Sequence, residues 1–224
     1  MGRSTGTRAD EIHARLRADI LGGVLPPGEK LAFGRLQARY DVSTGVLREV
    51  LPRLVEQGLA VSEAQLGFRV VPVSVPDLLE LTETRVWVES EALRRSIAHG
   101  DVEWESAVLA ARHRLSRTPS VDADGRVSDA WITAHGNFHG TLLRACPNTR
   151  LVRIAESLRD VSEVYRCWSV RSPGAVERDV DAEHGRIVEA AVDRDTERAV
   201  DELRRHIELT TSILVAGQES IRGL

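Results

Sequence analysis

Apolar positions in the first sixty residues fall into short helical stripes. Ile12, Leu16 and Ile20 recur every four residues between Asp10 and about Leu21, on one face of an amphipathic helix that Gly22-Gly23 ends. Leu25-Pro26-Pro27-Gly28 reads as a rigid turn, because two prolines fix φ and remove donors while the glycine accepts a positive φ. A second short helix fits Phe33 to Tyr40. Ser43 then N-caps a third, from Thr44 to Gln57, with the stripe Val46, Leu47, Val50, Leu51, Leu54 and Val55, and Gly58 stops it. Pro52 lies inside this run and removes one backbone donor, which opens the way to a kink near Leu51.

Two β-prone runs follow, Leu59 to Ser62 and Gly67 to Val73, with a short polar loop between them. Three helices and a β-hairpin predict a winged helix-turn-helix over 1–73. Val73-Ser74-Val75-Pro76 reads as a linker. Beyond Asp77 no strand pattern survives, and six helices are predicted over about 77–99, 101–117, 128–145, 149–170, 176–192 and 195–217. Their breaks fall at Gly100, Pro119 to Ser128, Cys146-Pro147-Asn148, Ser172-Pro173-Gly174 and Asp193 to Asp195. The expected fold class is mainly α: a winged helix-turn-helix followed by an all-α helical bundle over 77–220.

Composition adjusts this picture only slightly. Across 224 residues, 42% hydrophobic and 29% charged, a buried core is feasible and wholesale disorder is not expected. No apolar run approaches the roughly 18 to 20 residues that span a bilayer, and the start carries no apolar signal segment, so a cytoplasmic protein without membrane contact is expected. The two cysteines, Cys146 and Cys167, are too few for a disulfide framework and are read as reduced thiols. The net charge of −4 hides a split: residues 1–76 carry 10 Arg plus Lys against 8 Asp plus Glu, and the remainder 20 against 26. The first segment is thus mildly basic, which permits nucleic-acid binding.

Histidines carry the chemistry. On the helix from 128 to 145, Trp131, Ile132, His135, Phe138, His139, Leu142 and Leu143 are spaced by three and four, so His135 and His139 share the apolar side one turn apart. His184 shares a face with Ile187 and Ala191, and His206 lies in the stripe Val200, Leu203 and Ile207. About ten and about twelve residues from the turn near Arg194, the latter two reach a similar height on antiparallel helices. A lone histidine on an apolar face is usually a hydrogen-bonded core residue. Four that converge favour a nitrogen-rich cage for a divalent transition metal, zinc or nickel in preference to magnesium or calcium. His13, His99 and His113 fall off the stripes and are read as solvated.

Motifs in order and spacing carry a family resemblance. The run from Ile20 to Leu31, then Val42-Ser43, Leu47 to Leu51 and Leu54 to Leu59 resemble the GntR family of bacterial regulators. Arg85-Val86-Trp87-Val88-Glu89, Asn137-Phe138-His139, Glu183-His184 and His206 look like the FadR-type C-terminal sensor (FCD-like) domain of that family. The resemblance implies a homodimeric repressor or activator that binds an inverted-repeat DNA operator, with a metal at the floor of a cavity for a small carboxylate effector. The family's usual metal site has one carboxylate and three histidines, and His135 stands where the carboxylate is expected. Asn148 matches a helix-capping position.

For DNA, the third helix offers an apolar docking face and a polar face for the major groove. Arg48 can fork onto guanine or a phosphate, and Ser43 and Thr44 sit where backbone amides favour phosphate. Arg48 pairing with Glu49 or Glu56 is the alternative. Two positions often arginine in the family read Gly34 and Thr44, which shifts the load to Arg35, Arg39, Arg53 and the wing around Gly67. In the sensor, Arg85 is read either as the residue that pairs with the acid or as the ion-pair partner of Glu89 one turn on. Two other functions use the same residues: a direct metal sensor, and a metal-dependent hydrolase with Glu183 as general base. No nucleophile elbow, phosphate loop or HExxH motif is present, so an enzyme is not expected.

Overall fold

The computed structural model describes residues 7–122, 127–169 and 178–222, with the side chains of 167–169 and 217–222 left aside. The chain divides into two compact units, Met1–Val73 and Ser74–Leu224.

In the first unit, α1 (Arg8–Leu21) starts from a capping box in which Thr7 and Asp10 satisfy each other's backbone N–H groups. Its stripe Ile12, Leu16 and Ile20 is buried, as the fourfold spacing requires. α2 (Phe33–Tyr40) ends on Asp41 in the left-handed region, at φ 51°. α3 (Thr44–Glu56) begins at Ser43, whose hydroxyl accepts from Val46 N, and it continues through Pro52 to bury Leu47, Val50, Leu51 and Leu54. β1 (Ala60–Glu63) and β2 (Gly67–Val70) form an antiparallel hairpin with Ala60 opposite Val70 and Glu63 opposite Gly67.

Two details depart from expectation. The residues after the Pro-Pro-Gly turn add a third pairing to the hairpin: Leu31 N donates to Phe68 O at 2.8 Å and Val70 N donates to Glu29 O at 2.9 Å. Gly28, at φ 75°, makes the turn that aims them there. His13, expected in solvent, is buried, and its Nε2 lies 3.0 Å from Gln57 Oε1. It sits beside Ile12 at the edge of the stripe, where the end of α3 covers it.

The second unit is helical: α4 (Val75–His99), α5 (Val102–Ser116), α6 (Asp129–Leu143), α7 (Thr149–Ser169), α8 (Val180–Val192) and α9 (Thr196–Arg222). Among the described residues the only β pairing here is an isolated bridge between Val121 and Val127. Half of the segment read as a linker, Val75-Pro76, is the start of α4. Ser74 caps it by accepting from Asp77 N, and Pro76 occupies a first-turn position where no donor is needed. α8 starts later than predicted, with Asp179 as its N-cap; the break at Ser172-Pro173-Gly174 and the Cys167 side chain lie outside the described residues. The Cys146 thiol is free and buried.

The core of this unit is built from Leu93, Ile97, Val108, Phe138, Leu142, Ile187, Val200 and Leu203, contributed by α4, α5, α6, α8 and α9. Such a core makes the helices a rigid frame. Polar side chains pointing into it are held in one arrangement.

Candidate metal centre

Three helices bring the four predicted histidines together. α6 presents His135 and His139, α8 presents His184 and α9 presents His206, and all four are buried. One ligand-capable atom from each lies within 4.8 Å of the other three. His135 Nε2 and His139 Nε2 are 3.2 Å apart. That spacing is close to the roughly 3.3 Å edge of a tetrahedron with metal–nitrogen bonds of about 2.0–2.1 Å.

Burial is the first cause of every histidine shift at the centre. It holds His135 and His139 well below the ordinary value of 6.5, helped for His135 by the charge of Arg166 and for His139 by the neighbouring imidazoles. It takes His184 down to about 2, and it lowers His206 despite the opposing hydrogen bond that His206 donates to Glu183. The rings are therefore neutral, which is the state a metal ligand requires. His184 Nε2 is moreover buried without any hydrogen-bond partner. A buried nitrogen is seldom left so, and this donor set fits a divalent transition ion.

Carboxylates stand just outside the ring of imidazoles. His206 Nδ1 lies 2.9 Å from Glu183 Oε2, which leaves Nε2 as the free nitrogen. Arg178 grips the same carboxylate, its Nε donating to Glu183 Oε1 at 2.7 Å. Burial by itself would raise the Glu183 carboxyl, but hydrogen bonds from Arg178 and His206 outweigh it and hold it at about 2. On the other side, His135 Nδ1 is 3.2 Å from Glu163 Oε1, near but not aligned for a hydrogen bond. Glu163 pairs with Arg166, whose guanidinium lies 4.2 Å over Trp131, and Trp131 stacks on His135 at 4.4 Å. Carboxylates in such positions fix the tautomer and orientation of ligating rings.

Arg85 has internal partners. Its Nε donates to Glu89 Oε1 and its Nη1 to Ser162 Oγ, both at 2.8 Å and both buried, so the ion-pair alternative is the one seen. The sequence reading missed Glu163, Arg166, Arg178 and a second buried arginine, Arg159. Their signal was available for α7, where Arg159, Ser162, Glu163 and Arg166 place polar residues on the face that Ala155 buries.

In the first unit, Ser43 and Arg48 are exposed on α3 and Thr44 is half-buried. Arg48 makes no ion pair among the described residues. Arg35 pairs with Glu29 at 2.6 Å, Arg39 with Asp19 at 3.0 Å and Arg53 with Asp10 at 3.0 Å. Gly67 is exposed at the start of β2 with φ 90°, a conformation that a side chain there would strain.

A winged helix-turn-helix and a helical unit enclosing a histidine cluster define a two-part transcription regulator. The model of the bacterial regulatory proteins of the gntR family matches residues 8–70, and that of the FCD domain matches residues 80–209. The HTH-type transcriptional regulator BphR of Paraburkholderia xenovorans LB400 is 39% identical over 89% of this chain and 82% of its own length. The HTH-type transcriptional repressor GlaR of Escherichia coli K12 is 35% identical over 86% and 89%. The chain therefore belongs to the GntR family and carries its FCD domain. Among solved structures, E. coli McbR/YncC is similar in fold, with a TM-score of 0.79 over 95% of this chain and 99% of its own, at 17% identity. The metal-free FCD domain of TM0439 is also similar in fold, with a TM-score of 0.51 over 66% of this chain and 98% of its own, at 18% identity.

Proposed function

We propose that the chain is a homodimeric regulator whose affinity for an inverted-repeat DNA operator is set by a small organic acid bound at a zinc or nickel ion in the helical unit. The observation that carries this reading is the cluster of His135, His139, His184 and His206, buried together with a ligand-capable atom of each within 4.8 Å of the others. An ion held there supplies Lewis acidity, and any coordination position that the protein leaves open accepts a carboxylate. The chain's own residues bind the ion, orient the rings and exclude water.

On the DNA side, Arg48 is the base or phosphate contact, with Ser43, Thr44 and the N-terminus of α3 set against the backbone and Gly67 carrying the wing tip. Arg35 and Arg39 reach phosphate only by leaving Glu29 and Asp19, so they contribute less. Regulation by repression is supported by the name of GlaR. Among the described residues no helix is long and apolar enough to cross a membrane. The hydrolase reading is disfavoured, since Arg178 and His206 occupy the Glu183 oxygens and leave a weakly basic carboxylate to act on water.

The test is operator binding by metal-loaded protein, titrated with a panel of carboxylic acids and then with metal alone. A change in operator affinity with an acid at fixed metal supports the reading. A response to metal that no acid modifies would replace it with a direct metal sensor.

A further inference from the structure

Of the four clustered imidazoles, His206 is the one that lines a described cavity. Two adjoining cavities of about 440 and 400 Å³ run along α8 and α9 and share Glu183, Arg186 and Leu209. They open to solvent past the exposed Arg205 and Leu209. At their inner end stands Glu183, the carboxylate that orients the His206 ring. The walls carry four carboxylates, Asp179, Glu183, Glu202 and Glu208, against three arginines, Arg178, Arg186 and Arg205, so they do not repel a cation. His135 also shows a little surface, 7% against 6% for His206, behind Trp131 and Arg166, but no described cavity reaches it.

Arg178 closes the inner end of the groove. Its Nε donates to Glu183 Oε1 at 2.7 Å, and its Nη2 to Glu183 Oε2 at 2.5 Å and to His206 O at 3.0 Å. Its Nη1 donates to Thr210 Oγ1 at 2.8 Å. One guanidinium thus joins α8 to α9 beside the ring of His206 and occupies both oxygens of Glu183. Because His206 Nδ1 is turned to Glu183, an ion that comes down the groove meets the Arg178–Glu183 pair before it meets the free Nε2. Arg178 opposes such an ion twice. Its charge repels a cation, and its fork holds the oxygens that would pass one inward.

We propose that the α8–α9 groove is the path by which a divalent cation enters and leaves the histidine centre, and that Arg178 is its latch, released from Glu183 at each passage. This rests on the metal half of the reading above and on no acid. Arg178 stands outside the ligand set, so it sets the barrier to exchange more than the equilibrium. A loaded centre then keeps its ion through short falls in free metal.

The test follows zinc exchange in full-length protein. Association is read by stopped flow with a chromophoric zinc indicator, dissociation with a chelator at concentrations where the rate no longer depends on it, and affinity by equilibrium competition. R178Q is expected to speed association and dissociation about tenfold or more, the range of a charge-assisted pair, while affinity shifts by less than about threefold. T210V frees one donor of the fork and leaves its charge and Glu183 in place; it is expected to speed both steps about two- to fivefold, and it serves as the test if R178Q loses its helical fold. R205Q, at the exposed mouth, is expected to leave dissociation within about twofold. Unchanged dissociation in R178Q and T210V overturns the latch. Faster association alone does so too, because it marks a repelling charge and not a closure. Acceleration in R166Q with none in R178Q overturns the path and places it behind Trp131. If wild type binds no zinc, the metal reading itself fails and the latch falls with it.

Discussion

Glu183 Oε2 accepts from His206 Nδ1 at 2.9 Å while Arg178 holds the other carboxylate oxygen at 2.7 Å, so the orientation of one metal-facing imidazole is set by a residue on a different helix. Replacing Glu183 by Gln keeps the shape and removes the charge that favours Nδ1–H. Metal affinity is expected to fall about 10–100-fold. Competition against a fluorescent chelator measures it, and wild-type affinity in Glu183→Gln would mean that the carboxylate does not act through the ring.

The ligand set itself is tested by deletion. His139→Ala, His184→Ala and His206→Ala should each reduce metal content in the purified protein. His135→Ala decides whether this chain uses a fourth imidazole where the family carries a carboxylate; a full complement of metal in that variant would remove His135 from the set.

For DNA, exposure and partnering separate the arginines. Arg48 is exposed with no ion pair among the described residues, whereas Arg35 and Arg39 are held by Glu29 and Asp19. Arg48→Ala should weaken operator binding by about 1–3 kcal/mol, with smaller losses for Arg35→Ala and Arg39→Ala. Fluorescence anisotropy at fixed salt is the measurement. Equal effects at all three positions would show that the ion pairs open on DNA.

Acid should destabilise the metal-free protein. Burial holds His13 and the four clustered imidazoles below 6.5 in the folded state, so the unfolded chain binds protons first as pH falls. The stability they contribute is fully present above about 6.5 and is lost as pH drops through that value toward the folded ones. Chelator-treated protein is expected to melt lower at about pH 5 than at about pH 7.5, and zinc should raise melting at the higher pH. A flat profile would contradict burial of neutral rings.

Much of this was readable in the chain, and the misses have a common cause. The stripes of α1, α3 and α6 and the caps at Ser43 and Asn148 are local signals, and His135 and His139 lie one turn apart on an apolar face that any helix of this sequence presents. The pairing of Glu29 and Leu31 with β2 is not local, because it joins segments about forty residues apart. His13 looked solvated because its partner, Gln57, is 44 residues away. The spacing of Arg85 and Glu89 offers their ion pair, but it cannot show that Ser162 on another helix completes the buried set. Arg159 and Glu163 follow the same rule, because the histidines they face lie on α6, outside the α7 pattern.

The four histidines come from α6, α8 and α9, so an ion among them ties together stretches of chain that are far apart in sequence. A metal bound there would close two loops, from His139 to His184 and from His184 to His206, and unfolding the domain with the ion in place would keep both closed. It thus acts as a reversible cross-link. Protease cleavage between α6 and α9 should slow as metal is added, and the loading of the centre would then govern how long the regulator survives as well as what it senses.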